Sequence, residues 1–259
     1  MKIPSRFSVL TFAAGLTLTL TGLACLQRDL LMNPEKSDTD IMRIIRAHPA
    51  ELLAVVRNAA RDEHAEALRT DWKRQLATKP VLAHDPARAV HGTEGPVVTV
   101  FTDFDCIWCR RAHALYKGFS WRVTRRYLCV SPEDRKAAAA ALGIEATDPA
   151  AGARFHDLLM EDTERAWKEP SMTDRVLAKL AAKAGFPEEG LASILKDPRW
   201  QNTLNGDAGL ARRLHLDATP AFVIDDRLIV RGTPPRSLMA EALRLASSAS
   251  SSVPAQGGN

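Results

Sequence analysis

A chain of 259 residues, 46% hydrophobic and 25% charged, can bury one good core with length to spare, which excludes disordered and fibrous classes. The formal net charge is +4, and Lys2 and Arg6 at the amino terminus supply two of those four charges. With no long basic run either, nothing in the charge pattern points to nucleic acid as a partner.

Residues 1–24 read as an export signal. Lys2 and Arg6 give the positive start, Phe7 to Leu20 an apolar run without acidic residues, and Gly22-Leu23-Ala24 small residues ahead of a cut before Cys25. The apolar run is near the lower limit for spanning a bilayer, so a retained anchor is the alternative. A cut before Cys25 also allows acylation of that cysteine, although Gly22 stands where a lipobox carries a Leu-like residue.

Residues 25–80 combine a polar linker, Asn33 to Asp38, with an amphipathic helical arm. Ile41, Ile44 and Ile45 mark a first helical piece, and Pro49 opens a second. There Leu52, Val55, Val56, Ala59 and Ala60 recur at helical spacing, continued more thinly by Leu68, Trp72 and Leu76. So narrow an apolar face must pack on something, either its own domain or a second copy of the chain.

Pro80 ends the arm, and a loop with Gly92 and Gly95-Pro96 leads into a predicted buried strand, Val97 to Phe101. The strand runs into Asp105-Cys106-Ile107-Trp108-Cys109, a helix over Arg110 to Lys117, and a second strand over Arg122 to Val130. Strand, helix and strand at this spacing imply a right-handed parallel unit. A helical region follows over about 132–216, punctuated by Gly143, Pro170, Gly185-Phe186-Pro187 and Asp197-Pro198. Ala221 to Ile224 and Leu228 to Val230 flank Asp225-Asp226-Arg227 as a hairpin. Pro234-Pro235 opens a last helix over Ser237 to Ala246, and the Ser/Gly-rich tail, 247–259, is expected to be disordered.

Export places Cys25, Cys106, Cys109 and Cys129 where disulfides persist. At a strand-to-helix junction the first cysteine of a CxxC sits at the helix N-terminus, where free amides and the dipole favour an anion. The second lies one turn on and can close a disulfide. Thiolate is the attacking species: a pKa of about 8.5 leaves about 3% of it at neutral pH, whereas a pKa near 6 gives about 90%. Cys106 is therefore the expected nucleophile and Cys109 its resolving partner. Two other readings stay open: a soft metal site of Cys106, Cys109 and His113 without a recognisable fourth ligand, and a structural disulfide. Cys129, in the apolar stretch Tyr127 to Val130, reads as a packing residue, with a bond to Cys25 as the alternative.

Phe101-Thr102-Asp103-Phe104-Asp105-Cys106-Ile107-Trp108-Cys109 resembles the active-site strand and helix of the DsbA/DsbC group of bacterial periplasmic thioredoxin-like proteins. Ala218-Thr219-Pro220-Ala221-Phe222-Val223-Ile224 is similar to that group's cis-proline loop, and Phe155-His156-Asp157-Leu158-Leu159-Met160 to a helix of its inserted region. Ile44 to Leu53 is similar to the extension of suppressor-of-copper-sensitivity C-type proteins, where it can build an oligomer. The resemblance implies an α/β thioredoxin fold over 81–246, with an inserted helical domain and the N-terminal helical arm. It implies a cis Thr219-Pro220 bond beside the cysteines, with the Thr219 backbone open to pair with a substrate strand.

The implied activity is thiol–disulfide exchange on cysteine-containing exported proteins in the periplasm. It needs no organic cofactor or metal, but does need a membrane redox partner. Ile107-Trp108 replaces the Pro-His that strong oxidants of the group carry, and Thr219 resembles its isomerase and reductase members, so isomerase or reductase is preferred over oxidase. Asp103 is either a buried acid for proton transfer or an ordinary strand-end carboxylate, Asp105 either a helix cap or a charge opposing the Cys106 thiolate, and Trp108 a modulator of the pair. A copper-stress or metal-binding protein and a redox-inactive holdase are the rival functions.

Overall fold

The computed structural model describes residues 42–43, 45–78, 80–161 and 173–251. The expected signal, Cys25 and the last eight residues lie outside them. The chain divides into two compact units, 1–66 and 67–259.

Helix α1 (Pro49–Leu76) starts in the first unit, with an acidic residue, Glu51, in its first turn. Leu52, Leu53, Val55 and Val56 all stand exposed on it. The last turns of α1 belong to the second unit, so part of the predicted arm is built into the domain. Trp72 is buried there, Arg69 Nε donates to both Glu241 carboxylate oxygens at 3.0 and 3.1 Å, and Gln75 exchanges two hydrogen bonds with the Ile229 backbone.

The second unit is built on a four-stranded sheet in the order β2-β1-β3-β4, with β1 at Val97–Thr102, β2 at Arg122–Tyr127, β3 at Ala221–Ile224 and β4 at Leu228–Arg231. Strands β1 and β2 are parallel, joined through α2 (Ile107–Tyr116), while β3 is antiparallel to both β1 and β4. Val98, Phe101, Val223 and Ile224 are wholly buried, which explains why these strands read as continuous apolar runs. Strand β2 stops at Tyr127, short of the predicted Val130, because Leu128 makes one last bond to Thr102 O and the chain then turns into the next helix. The β3–β4 hairpin closes through Asp225 and Asp226, both at positive φ (48° and 54°), with Arg227 N bonded to Ile224 O. Aspartate tolerates that backbone better than most residues, which made the turn visible in the sequence.

Between β2 and β3 lie α3 (Pro132–Thr147), α4 (Pro149–Glu161), α5 (Asp174–Lys183), α6 (Glu188–Lys196) and α7 (Pro198–Arg213). They form the expected inserted helical region. Ser131 and Thr173 cap α3 and α5 with their side chains, and Asp197 caps α7 with Pro198 at its first position. Gly143 does not punctuate the region as predicted but sits inside α3. A Cβ there would come within 2.2 Å of the Ile194 side chain, so the glycine lets α6 pack against α3. The core of the insertion (Ala137 to Ala141, Phe155, Leu159, Leu177 and Leu204) is continuous with Phe104 and Cys109.

Helix α8 (Arg236–Ser251) runs past the predicted Ala246 into the segment expected to be disordered. Its serines satisfy themselves locally: Ser247 and Ser248 hydroxyls donate to Leu243 O and Arg244 O, four residues back.

Candidate active site

Strand β1 delivers the chain to a tight turn. The Asp103 side chain is buried, and its Oδ1 accepts from Asp105 N at 2.7 Å, an Asx turn that swings the backbone into α2. Arg110 reaches back with two donors to Phe104 O, at 3.0 and 2.8 Å, and pins the same turn from the helix side. Cys106, rather than Asp105, is the N-cap of α2, with extended backbone (φ −77°, ψ 112°) and a sulfur that accepts from Cys109 N at 3.2 Å. Asp105 points instead to α3, where its Oδ2 accepts from Ser131 Oγ at 3.0 Å.

The Thr219-Pro220 bond is cis, and the Cys106 Sγ lies 3.4 Å from Thr219 O. The register brings the loop there: Ala221, the first residue of β3, pairs with Phe101 near the end of β1. Cys106 is half-buried, Cys109 is buried, and both thiols are free. Hydrogen bonding from the Cys109 thiol is the main cause that brings the Cys106 pKa down to about 6, helped by the Thr219 side chain and the Cys109 and Trp108 backbone against the opposing effect of burial. Cys109 moves the other way, raised by its bond to Cys106 and by burial. One cysteine is thus poised as an anion and the other kept as a thiol. Beside them Ile107 and Trp108 are 56% and 55% exposed, the Trp108 ring lies under the Arg111 guanidinium, and Thr233 donates to Trp108 O.

His113 does not join the cysteine pair as a third ligand. Among the described residues no three His, Cys, Asp or Glu side chains gather into a metal-holding group. Instead His113 faces a cavity of about 160 Å³ behind Cys109 that is also lined by Thr102, Arg125, His156 and Pro220.

Residues that sequence reading did not single out surround the turn. Asp134, 1% exposed, has its carboxylate sealed from solvent beside Asp103 and Cys129. Burial and the neighbouring Asp103 push its carboxyl up to about 8. The Cys129 thiol stands beside Asp134, raised by burial, and packs against the insertion core as expected of a small hydrophobe. In the sequence Asp134 looks like an ordinary acidic residue of a helix's first turn.

Residues 117–244 match the family model of the DSBA-like thioredoxin domain. No curated protein sequence matches the chain. Among solved structures, a thioredoxin-like oxidoreductase from Silicibacter pomeroyi DSS-3 is 26% identical over 66% of this chain and 99% of its own, with a TM-score of 0.56. Proteus mirabilis ScsC in a compact conformation is 21% identical over 80% of this chain and 98% of its own, TM-score 0.54. A periplasmic thioredoxin-like protein from Salmonella enterica serovar Typhimurium is 22% identical over 65% and 94%, TM-score 0.52. The last two likenesses show the fold. Residues 117–244 are thus similar to the DSBA-like thioredoxin domain, and the chain has a DsbA-like thioredoxin fold with a helical insertion.

Proposed function

We propose that the protein catalyses thiol–disulfide exchange on exported, cysteine-containing proteins, with Cys106 as nucleophile and Cys109 as resolving thiol. The observation that carries this reading is the Cys106 sulfur at the N-cap of α2, half-buried, held between Cys109 N and Thr219. In the reducing direction the Cys106 thiolate attacks a substrate disulfide, forming a mixed disulfide and releasing one substrate thiolate. Cys109 then attacks Cys106 Sγ and the substrate sulfur leaves as a thiolate, or a second substrate thiol attacks the substrate's own sulfur and Cys106 leaves as a thiolate; either step frees the substrate. The Thr219 backbone supports an extended substrate segment beside the pair.

The isomerase or reductase direction is preferred to oxidase. Ile107-Trp108 supplies no imidazole to steady the thiolate further, so the reduced form lacks one stabiliser found in strong oxidants. The periplasm, a membrane redox partner and self-association through the exposed Leu52, Leu53, Val55 and Val56 face complete the reading. Among the described residues no helix is long and apolar enough to cross a membrane. The test is the reduction potential of the Cys106–Cys109 pair in glutathione buffers, followed by refolding of a scrambled substrate. A potential several tens of millivolts below about −120 mV, with reshuffling lost in Cys106→Ala, is expected. A potential near about −120 mV refutes the preferred direction, and activity surviving in Cys106→Ala refutes the exchange reading and leaves a holdase.

A further inference from the structure

We infer that His113 is the proton acceptor that readies Cys109 to resolve the mixed disulfide, taking the proton through water in the cavity that both residues line. The inference rests on the exchange chemistry proposed above. Resolution needs a Cys109 thiolate, yet Cys109 is buried next to Cys106 and holds its proton tightly. Some group must therefore take that proton at the moment of attack.

His113 follows Cys109 by four residues on α2, so the two side chains share one face of the helix. That face borders the cavity of about 160 Å³, which far exceeds the roughly 10–15 Å³ one water needs and has polar walls in Thr102, Arg125 and His156. His113 Nε2 is buried and makes no hydrogen bond; the closest acid, Asp157 Oδ1, is 3.7 Å away. Nε2 thus has no hydrogen-bond partner, which is unusual for a buried polar atom. Burial lowers the His113 pKa and keeps the ring a neutral base, with Arg125 of β2 and Lys117 acting in the same sense and Asp157 and Glu161 of α4 opposing. His156, also of α4, is tied to the Tyr127 hydroxyl at 3.1 Å. On the other side of the turn, Asp103 Oδ1 is engaged with Asp105 N, and Asp134 is already protonated near neutral pH. Neither acid is as free to receive a proton.

The step balances without an outside reagent. The Cys109 proton passes through water to His113, and the Cys109 sulfur attacks Cys106 Sγ. The Cys106–Cys109 bond forms, the Cys106–substrate bond breaks, and the substrate sulfur leaves with the electron pair as a thiolate. The cysteine pair is oxidised and the substrate reduced. In the reverse direction the imidazolium returns its proton to Cys109.

The experiment mixes the reduced full chain with dithionitrobenzoate in a stopped-flow instrument. A concentration-dependent first release of thionitrobenzoate reports attack by Cys106, and a concentration-independent second release reports resolution by Cys109. His113→Gln is expected to slow the second phase at least about 10-fold at neutral pH, below the usual worth of a positioned base. It should leave the first phase intact. The wild-type second phase should fall as His113 becomes protonated at acid pH, and H113Q should lack that inflection. A second phase with unchanged rate and pH profile in H113Q overturns the proposal, as does slowing by Asp134→Asn instead. If H113Q does not fold, His113→Ala with added imidazole replaces it: restoration of the second phase supports the assignment, and none overturns it. Absence of any Cys106-dependent first phase in the wild type would sink the exchange reading itself.

Discussion

The acidity of Cys106, the proposed nucleophile, should be measurable through its neighbour. Replacing Cys109 by alanine removes the thiol whose hydrogen bond contributes most to lowering the Cys106 pKa from 9.0 to about 6. At pH 7 a thiol titrating near 6 is about 90% thiolate, against about 1% for one titrating near 9. Nucleophilicity per thiolate falls as pKa falls, with a Brønsted slope of about 0.4–0.5, so a drop of about three units costs roughly 15- to 30-fold. Wild-type Cys106 should therefore react with iodoacetamide only about 3- to 6-fold faster than an ordinary thiol at pH 7, and roughly 10-fold slower near pH 9. The assay is mass-resolved alkylation across about pH 4 to 10, read as the inflection of rate against pH. C109A should move that inflection upward towards the ordinary thiol range, whereas C109S keeps a hydroxyl donor and should hold it lower than C109A does. An unchanged inflection in C109A would refute the reasoning and leave the amino terminus of α2 as the source of the low value.

Thr219→Val removes the second favourable side-chain contact and should raise the Cys106 inflection by less than C109A does, in the same alkylation assay. Asp134→Asn tests the buried carboxyl through stability. Because the folded-state pKa is raised from 3.8 to about 8, the folded protein holds the extra proton, so wild-type stability is greatest below the unfolded value and declines as pH rises through that window. The decline is at most about 1.4 kcal/mol per pH unit. D134N should gain on the wild type between pH 5 and pH 8 in urea unfolding, and the same difference at both values would refute the assignment. Asp207, wholly buried, takes Arg88 Nη2 and Arg126 Nη1 at 2.7 Å and Tyr127 N at 3.0 Å. Asp207→Asn leaves the two guanidiniums only the more distant Asp85 carboxylate, at 3.6 and 4.0 Å, and should cost up to about 3–5 kcal/mol in denaturant unfolding; a loss under about 1 kcal/mol would refute that account.

What the sequence made legible is what acts over short stretches of chain. The cysteine spacing, the apolar strand before it, Pro220 ahead of β3 and the Asp225-Asp226 turn each state their geometry within a few residues. Misreadings arose where a distant neighbour decided the outcome. Gly143 looks like a helix breaker until α6 supplies Ile194 against it, and the serines of α8 look like a loop until they bond back along the helix. Asp105 looks like the cap because aspartate is a common one, but the Asx turn at Asp103 places Cys106 there instead.

The site divides in the same way. Cys106 and Cys109 define each other locally, but what sets their protons is assembled from three stretches of chain. Thr219 comes from the loop before β3, the Asp103 backbone from the turn after β1, and His113 from one turn further along α2. The antiparallel pairing of β1 with β3 brings the first of these to the turn. A one-residue slip in that register would turn alternate side chains to the opposite face and separate the cysteines from the groups that tune them. The motif alone therefore announces the proposed reaction, while the rate and pH dependence proposed for it belong to the sheet.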